Sequence, residues 1–311
     1  MSYKIVVLDG IYANPGDLSW DDLCEYGEVQ IYKQTGSEQV IERSLNADIL
    51  IINKVKLLRE HFEKLPKLKL IVISATGMDN VELLAAENRG IKALNVRDYS
   101  TRSVAQHTFA LILSLTNKVH LYDRSVGANE WNETKGFSYV LHTMPELSQQ
   151  RLGIYGFGAI GKEVAKIGAS FGMQVSVVSS HTKPKTFPDY QFVQEKDLFT
   201  ECDIISLHCP LTETNKAFVN KSLLSLMKPN ALLINTARGA LINEVDLHWA
   251  LTNKRIGGAA LDVLSQEPPT TTHPLSKLDN CIITPHMAWT SRMSRKTLIR
   301  FVVDHVKNFT N

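Results

Sequence analysis

At 311 residues the chain is long enough for about two domains, and its 44% hydrophobic and 21% charged content is that of an ordinary globular protein. The formal net charge is only +2 and like charges form no block, which argues against a nucleic-acid or membrane partner. Four scattered cysteines without a CxxC pair favour reduced thiols in the cytoplasm, and we expect no metal site.

Short aliphatic runs in the first third of the chain predict buried strands. They span Lys4–Leu8, Asp48–Ile52, Leu68–Ser74 and Ile91–Val96. Each run is apolar throughout instead of alternating, which is typical of strands covered on both faces in a parallel sheet. Because the first run lies within MSYKIVVLDG, the start of the chain is predicted as a strand and not as a secretory leader.

A long apolar helix is predicted next, over Ser103–Val119. Apolar residues cover much of its circumference, so we expect it to be buried, at a boundary between domains or subunits. His107 on this helix is interpreted as a core or interface histidine. The following stretch, Gly127–Gln149, is richer in polar and aromatic residues and is predicted as an excursion before a second domain.

A second series of apolar runs begins at Arg151 and predicts a second sheet. Its strands span Leu152–Tyr155, Gln174–Val178, Asp203–His208, Ala231–Asn235, Gly257–Asp262 and Cys281–Thr284, and a closing helix spans Ser291–Asn311. Strands that alternate with helices indicate a doubly wound α/β fold. The two series together are too long for one sheet, so the sequence predicts two Rossmann-like α/β domains with parallel sheets.

The strongest local motif is a glycine-rich turn between a predicted strand and a predicted helix. It reads Gly156-Phe157-Gly158-Ala159-Ile160-Gly161. In this setting the first glycine permits the tight turn, the second lets the backbone approach a pyrophosphate, and the third lets helix and strand pack closely. The helix N-terminus adds unpaired N–H groups and a positive dipole end. The motif predicts a dinucleotide site, and glycines that only turn the chain are the alternative.

The end of the next strand indicates which dinucleotide is bound. NAD-binding proteins normally have an acidic residue there for the ribose 2′-hydroxyl, but this chain has Ser179-Ser180-His181-Thr182-Lys183. Hydroxyls and positive charge, without a carboxylate, favour a 2′-phosphate. We therefore expect NADP, and the alternative is a solvated loop that also accepts NAD.

Three ionisable residues follow strands of the second series, where open α/β sheets build their sites. They are Arg238, Glu267 and His286. Arg238 can bind a carboxylate or a carbonyl oxygen with its forked donors. His286 can act as general acid when a carbonyl is reduced and as general base in the reverse direction. Glu267 beside it would hold the imidazole in one orientation.

Other residues at the same strand ends are predicted to contact the cofactor. They are His208, Cys209, Pro210, Thr236 and Ala237. A thiol nucleophile at Cys209 is disfavoured, because nothing in the sequence orients it.

Ordered motifs along the chain are those of a known family. They read ATGMDNVE (75–82), SVAQHTFALIL (103–113), LGIYGFGAIGKEVA (152–165), HCPLTETN (208–215), INTARGALINE (234–244), ALDVLSQEPP (260–269) and TPHMAW (284–289). Over nearly its whole length the chain resembles the D-isomer-specific 2-hydroxyacid dehydrogenases. The resemblance implies a substrate-binding domain of residues 1–99 plus 286–311 and a coenzyme domain of residues 100–285, with the active site in the cleft between them.

The resemblance also implies roles for single residues. Arg238, Glu267 and His286 fill the catalytic positions of the family. Thr76 and Gly77 lie where family members present backbone N–H groups to the substrate carboxylate. Asp262 matches the aspartate that hydrogen-bonds the nicotinamide carboxamide. Family members are usually homodimers joined through their coenzyme domains, and residues 137–147 would lie near that interface.

Departures from the usual family pattern indicate which branch, cofactor and activity to expect within the family. Gln106 replaces the glutamate of many members and, with Trp289, resembles the glycerate dehydrogenase and hydroxypyruvate reductase branch. Thr76 lies in a loop that is usually glycine-rich, and Ser179 replaces the aspartate that usually selects the cofactor. The chain stops soon after the closing helix, without the C-terminal extension of many phosphoglycerate dehydrogenases, which disfavours that activity.

We therefore expect an enzyme that reduces a small 2-ketoacid, such as hydroxypyruvate, glyoxylate or pyruvate, to the D-2-hydroxyacid with NADPH. A corepressor-like regulator that senses the cofactor is the alternative, because such regulators resemble the same family. The three catalytic residues favour the enzyme. Formate dehydrogenase is disfavoured, since its chemistry releases no proton from an alcohol.

Overall fold

The computed structural model describes residues 2–180 and 186–311. The chain divides into two compact units, Met1–Ser100 with Trp289–Asn311 and Thr101–Ala288. The second unit extends to Ala288 because the carboxylate of Asp262 accepts hydrogen bonds from the backbone N–H groups of Met287 and Ala288, at 2.9 and 2.8 Å.

Strands and helices alternate along both units. The strands are β1 (Tyr3–Val7), β2 (Gly27–Ile31), β3 (Ile49–Ile52), β4 (Leu70–Ile73), β5 (Lys92–Asn95), β6 (Arg151–Tyr155), β7 (Gln174–Val178), β8 (Gln191–Phe192), β9 (Ile204–Leu207), β10 (Leu232–Asn235), β11 (Gly258–Leu261) and β12 (Cys281–Ile283). The helices are α1 (Val40–Ser44), α2 (Arg59–Lys64), α3 (Leu83–Glu87), α4 (Thr101–Thr116), α5 (Val119–Gly127), α6 (Glu130–Thr134), α7 (Ala159–Ser170), α8 (Glu195–Glu201), α9 (Lys221–Leu224), α10 (Glu244–Thr252) and α11 (Arg292–Thr310). Short 3₁₀ helices lie at Asp21–Glu25, Ser37–Gln39, Leu147–Gln149, Gly239–Leu241 and Pro274–Lys277.

The first unit is built on a parallel sheet with the strand order β2-β1-β3-β4-β5. This is the flavodoxin-like order of a doubly wound domain. Every residue of the central strands β3 and β4 is buried. The predicted α/β class of this part of the chain is therefore confirmed.

The second unit contains a parallel sheet with the order β12-β11-β10-β9-β6-β7-β8. Counted from β6, this is the order of dinucleotide-binding domains, extended by one strand. Neighbouring residues of β9 belong to different apolar clusters, Ile205 to one and Ile204 to the other, so both faces of the sheet are buried. The strand order reverses between β6 and β9, and ligands of such sheets bind at the carboxyl ends of the strands at that point.

The predicted strands are confirmed with small shifts at their ends, but the sequence pattern does not predict β2 or β8. Both are edge strands. The residues of β2 are half-buried or exposed, and β8 has two residues. Neither therefore has the continuous apolar run that identifies the central strands.

The long helix predicted over Ser103–Val119 is confirmed as α4, with shifts at both ends. Helix α4 ends at Thr116 and α5 begins at Val119, because Lys118 between them has a φ of +49°. Helix α4 is buried as predicted, and Ala105 and Ile112 have no exposed surface. Of the helices in the described ranges, none combines the length and the apolar character that crossing a membrane requires.

Candidate active site

The glycine-rich turn lies at the carboxyl end of β6, beside the loop that follows β9. Gly156 has a φ of +100°, a conformation that favours glycine. A Cβ atom at this position would lie 2.6 Å from the backbone nitrogen of Cys209. The turn therefore needs glycine both for its backbone angle and for the close approach of the neighbouring loop.

The other two glycines shape the start of α7. A Cβ atom on Gly161 would lie 2.1 Å from the carbonyl oxygen of Gly156, whereas one on Gly158 would meet no atom within 4 Å. Gly158 is the N-cap of α7, and no side chain of the described residues caps this helix end. Open space in front of uncapped N–H groups suits a pyrophosphate, so the turn fits a dinucleotide.

Phe157 fixes the turn from its buried side. Its side chain is 4% exposed. Its ring packs edge-on against the rings of Phe187, Tyr190 and Phe192, with centroid distances of 5.0, 5.7 and 5.7 Å. Helix α7 then begins at Ala159 and Ile160. These aromatic contacts fix the position of the turn.

The end of β7 lies beside the same turn, because the N–H of Gly156 donates to the carbonyl of Val178 at 2.9 Å. Ser179 is half-buried and Ser180 is exposed directly after this strand. The predicted contacts of His181 and Lys183 lie outside the described residues.

A lysine that the sequence reasoning missed lies beside the glycine turn. The ammonium group of Lys162 in α7 is 5.8 Å from the ring centroid of Phe157 and 5.3 Å from that of Phe187. It adds a positive charge near the predicted phosphate site.

The loop after β9 contains His208, Cys209 and Pro210. The Nε2 atom of His208 lies 2.8 Å from the hydroxyl of Ser206, and burial lowers the pKa of this histidine to about 3. Its imidazole is therefore neutral near neutral pH and is a poor proton donor. Burial raises the pKa of the Cys209 thiol to about 11, so it is not a thiolate under the same conditions. The carbonyl of Pro210 accepts a hydrogen bond from Asn215 at 2.8 Å.

Arg238 lies half-buried in the loop after β10. This loop packs backbone against backbone with the loop after β11, because a Cβ atom on Gly239 would lie 1.9 Å from the carbonyl carbon of Leu264. Glycine is required for that approach, which brings the loop of Arg238 against the loop of Glu267. An Nη1 atom of Arg238 donates to the carbonyl of Ala237 at 2.8 Å.

Two predicted cofactor contacts precede this arginine. Thr236 is buried, and its hydroxyl lies 3.2 Å from that of Thr108 on α4. The N–H of Ala237 donates to the side-chain oxygen of Asn235 at 3.0 Å. Both contacts tie the start of the loop to the fold.

Glu267 and His286 form a direct carboxylate–imidazole pair. The Oε2 atom of Glu267 lies 2.5 Å from Nδ1 of His286, and the side chains are 32% and 27% exposed. The Oε1 atom accepts the backbone N–H of Leu264 at 2.9 Å. Because both carboxylate oxygens are engaged, the imidazole is held in one orientation and its Nε2 atom is left for proton exchange with a ligand.

A second carboxylate–histidine pair supports the loop of Glu267. Glu244, in the first turn of α10, accepts the backbone N–H and the hydroxyl of Ser265, both at 2.7 Å. Its Oε2 atom also lies 3.2 Å from Nε2 of His273. Sequence reasoning missed this role, because nothing in the spacing of Glu244 and His273 predicts that they meet.

His286 lies in a tight turn that Asp262 organises. Its φ of +53° is uncommon for a residue with a side chain. The N–H of His286 donates to the backbone carbonyl of Asp262 at 2.8 Å, and the carboxylate of Asp262 binds the next two N–H groups of the turn. Burial alone would raise the pKa of Asp262, but hydrogen bonds from His107, Thr284 and the backbone lower it below its ordinary value. The carboxylate is therefore ionised.

His107 is the clearest residue of this site that the sequence reasoning missed. It is interpreted from the sequence as a core or interface histidine. In the structure its Nε2 atom lies 3.0 Å from the hydroxyl of Thr284 and 3.5 Å from Oδ1 of Asp262. No spacing signal could have joined it to Thr284 and Asp262, because these residues are far from it in the sequence and meet it only through the packing of α4.

In the first unit, Thr76 and Gly77 lie in the loop after β4. The hydroxyl of Thr76 donates to the carbonyl of Val96 at 3.2 Å, and the carbonyl of Thr76 accepts the amide of Asn95 at 2.6 Å. Asn80 in the same loop donates to the carbonyl of Val55 at 2.8 Å. Neutral amide side chains thus fix this loop.

Comparison with known proteins identifies the family of the chain. A model of the family described as D-isomer specific 2-hydroxyacid dehydrogenase, NAD binding domain, matches residues 109–288. A hydroxypyruvate reductase of Blautia hydrogenotrophica is 36% identical over 98% of this chain and 96% of its own length.

Two solved structures cover nearly the whole chain. One is an acyclic imino acid reductase in complex with NADPH and D-Arg, with a TM-score of 0.85, 30% identity and coverage of 98% of this chain and 96% of that chain. The other is a D-lactate dehydrogenase of Aquifex aeolicus complexed with NAD and lactic acid, with a TM-score of 0.86, 28% identity and coverage of 98% and 95%.

These similarities confirm the family expected from the motifs and give the regulatory alternative no support. The match to a hydroxypyruvate reductase also confirms the branch indicated by Gln106 and Trp289. The chain therefore belongs to the D-isomer-specific 2-hydroxyacid dehydrogenases, enzymes that transfer a hydride between a nicotinamide cofactor and a small 2-ketoacid or 2-hydroxyacid.

Proposed function

We propose that this enzyme reduces a small 2-ketoacid of the hydroxypyruvate and glyoxylate type to the D-2-hydroxyacid, with NADPH as the preferred hydride donor. The observation that carries the proposal is the Glu267–His286 pair, 2.5 Å apart. It lies at the carboxyl end of a sheet whose glycine turn fits a dinucleotide. The similarity to a hydroxypyruvate reductase supports the substrate class.

The residues that would hold the cofactor lie along the carboxyl edge of this sheet. The turn Gly156–Gly161 and the first N–H groups of α7 would bind the pyrophosphate. Ser179 and Ser180 would donate to the 2′-phosphate, and the same role is proposed for His181 and Lys183. The remaining contacts would come from His208, Cys209, Pro210, Thr236 and Ala237.

The side chains of this chain supply the proton and the orientation. When bound, the reduced nicotinamide supplies a hydride to the carbonyl carbon of the ketoacid. His286 donates the proton of Nε2 to the carbonyl oxygen, which becomes the hydroxyl group. Glu267 stabilises the imidazolium and keeps its ring in place through Nδ1. Arg238 binds an oxygen of the substrate, so that the carbonyl is polarised and aligned.

Three further contacts complete the proposed site. The backbone N–H groups of Thr76 and Gly77 would bind the substrate carboxylate. Asp262 would accept a hydrogen bond from the nicotinamide carboxamide. Since its two oxygens already bind the turn of His286, this aspartate would serve both the cofactor and the proton donor.

The substrate proposal is tested by NADPH consumption with a panel of 2-ketoacids. Hydroxypyruvate and glyoxylate should give the highest kcat/KM, and the product should be the D-isomer. An imino acid should be a poor substrate. Turnover of imino acids alone, or of larger ketoacids alone, would contradict the proposed class.

The cofactor proposal is tested at Ser179. A carboxylate in the Ser179→Asp variant would repel a 2′-phosphate and accept a 2′-hydroxyl, so the ratio of kcat/KM for NADPH to that for NADH should fall by about 10-fold or more. Ser170→Asp at the end of α7 provides a matched control, because among the described residues that serine bonds only to its own helix, at Lys166. A wild-type enzyme that already prefers NADH would refute the NADP assignment.

We also propose that two copies of the chain associate through the second unit. The segment 119–147 exposes large apolar side chains, among them Phe137 at 97% and Val140 at 80%. Burial of such a patch against a second copy would be favourable. Sedimentation should show a dimer that Phe137→Ser weakens, while Leu84→Ser, at an exposed leucine of the first unit, should leave it intact. A monomeric wild-type protein would refute this association.

We further propose a cytoplasmic location. The four cysteines are unpaired thiols, which suits a reducing compartment. Fractionation of the source cells should recover the activity with the cytoplasmic enzymes, and recovery with secreted proteins would refute this location.

A further inference from the structure

Two side chains on one face of α4 bond to the segment that contains His286. The hydroxyl of Ser103 donates to the carbonyl of Ala288 at 2.6 Å. One helical turn later, Nε2 of His107 lies 3.0 Å from the hydroxyl of Thr284. Residues four apart on a helix share a face, so α4 contacts the segment on both sides of His286.

The direction of the hydrogen bonds at Thr284 follows from its single proton. Its hydroxyl donates to Oδ1 of Asp262 at 2.6 Å, and this carboxylate can only accept. The lone pair of the hydroxyl therefore faces His107, so the Nε2 atom of His107 is the donor. A chain of donors runs from His107 through Thr284 to Asp262.

Asp262 connects these hydrogen bonds to the turn that contains His286. Its carboxylate binds the N–H groups of Met287 and Ala288, and its carbonyl accepts the N–H of His286. A left-handed conformation at a residue such as His286 has an energetic cost and persists only where the surroundings determine it. Here the hydrogen bonds from α4 and Asp262 determine the backbone conformation of His286.

We propose that Ser103 and His107 are positioning residues that hold the proton donor His286 in place, Ser103 through Ala288 and His107 through Thr284 and Asp262. This inference rests on the proposed role of His286 as the proton donor. Neither side chain touches the reacting atoms in this account, so both act on the rate only through the geometry of the turn.

The test replaces His107 by leucine and by glutamine. Leucine removes the donor, whereas the amide nitrogen of glutamine can replace Nε2 as a donor to Thr284. Loss of the hydrogen-bond partner that orients a metal ligand costs about 10- to 100-fold in activity, and we expect kcat of His107→Leu to fall by a factor of the same order. Glutamine should restore most of it, and the KM for NADPH should change little in either variant.

The solvent deuterium isotope effect on kcat separates positioning from a purely structural role. If the proton donor is misplaced, proton transfer becomes slower relative to the other steps and the isotope effect of His107→Leu should exceed that of the wild type. A loss of folded enzyme would lower kcat without a change in the isotope effect.

Ser103→Ala is an independent test of the positioning role if the leucine variant folds poorly. It should also lower kcat and raise the isotope effect. The matched control is Ser114→Ala, because the hydroxyl of Ser114 on the same helix bonds, within the described part of the chain, only to the carbonyl of Ala110. This control should behave as the wild type.

The inference is overturned if His107→Leu and Ser103→Ala keep the wild-type kcat, or if they lose activity with an unchanged isotope effect. It is also overturned if glutamine and leucine at position 107 give equal losses. A different result, full turnover in His286→Ala, would refute the proposed function itself.

Discussion

The loop of Thr76 and Gly77 in the first unit and the turn of His286 in the second unit are held in place by different chemistry. In the first unit, amide side chains donate to backbone carbonyls, Asn80 to Val55 at 2.8 Å and Asn95 to Thr76 at 2.6 Å. In the second unit, carboxylates pair with a histidine or a hydroxyl, Glu267 with His286 at 2.5 Å and Asp262 with Thr284 at 2.6 Å.

This difference indicates which loop binds the substrate and which takes part in the chemical step. Amides keep the same hydrogen bonds at every physiological pH, which suits a loop that presents backbone N–H groups to an anion. Carboxylate–histidine pairs can hold and release a proton, which suits the chemical step. Changes in the second unit should therefore alter kcat, and changes in the first unit should alter KM.

Outside the proposed catalytic residues, the largest effect is expected from Gly239→Ala in the second unit. The new Cβ would lie 1.9 Å from the carbonyl carbon of Leu264, so the loops of Arg238 and Glu267 must separate. A displacement of about 1 Å in a catalytic site can cost about 100-fold in rate, and we expect kcat to fall by at least that factor.

The matched control for this change is Gly127→Ala, since a Cβ at the end of α5 would meet no atom within 4 Å. Its kinetics should equal those of the wild type. Full activity in Gly239→Ala would show that the two loops need not touch.

A smaller effect, on KM, is expected from Asn80→Ala in the first unit. The change removes the hydrogen bonds that tie the loop of Thr76 and Gly77 to Val55 and Asn53. Loss of about 1 kcal/mol of hydrogen bonding predicts a 5- to 10-fold rise in the KM for the ketoacid, with kcat nearly unchanged. Steady-state kinetics should be compared with Asn88→Ala, at an exposed position in the same unit. A fall in kcat at constant KM would contradict the division between the units.

The smallest expected effect is on the pH dependence of the free energy of unfolding. The contributions of buried Asp9 in the first unit and buried Asp262 in the second unit should depend on pH with opposite sign. Burial raises the pKa of Asp9, despite hydrogen bonds from the N–H groups of Lys54, Asn53 and Val55. Its stabilising contribution is therefore present at low pH and lost as the pH rises through the folded pKa. The pKa of Asp262 is lowered, so its contribution is complete above the unfolded value and is lost only as the pH falls below it.

Urea denaturation from about pH 4 to pH 7 measures this contrast against Asp9→Asn and Asp262→Asn. The stability advantage of the wild type over Asp9→Asn should shrink as the pH rises from the unfolded pKa through the raised folded pKa. The advantage over Asp262→Asn should stay constant over the same range. Equal pH dependence in the two comparisons would contradict the assigned pKa directions.

Much of the fold could be predicted because the central strands are short, continuous apolar runs, as at Ile49–Ile52. The edge strand β2 could not, since its residues face solvent in part and lack such a run. The glycine turn could be predicted because Gly156 and Gly161 meet local requirements, a φ of +100° at Gly156 and a close approach of the Gly156 carbonyl oxygen at Gly161.

The candidate site was predictable only as far as chain order places residues at strand ends. Position after a strand was enough to single out Glu267 and His286, but not to predict that they lie 2.5 Å apart. His107 and Gly239 act through segments that are distant in the chain. Their contacts with Thr284 and Leu264 depend on tertiary packing, which has no signature in spacing.

The most direct test of the account is the turnover of hydroxypyruvate and NADPH by His286→Ala, beside His248→Ala as a control at a half-buried histidine of α10. General acid–base catalysis contributes about 10²- to 10⁴-fold, so kcat should fall by that factor in His286→Ala while NADPH binding, followed by fluorescence titration, stays close to that of the wild type. The control should keep full activity. Turnover by His286→Ala near the wild-type rate would contradict the central claim that this histidine donates the proton.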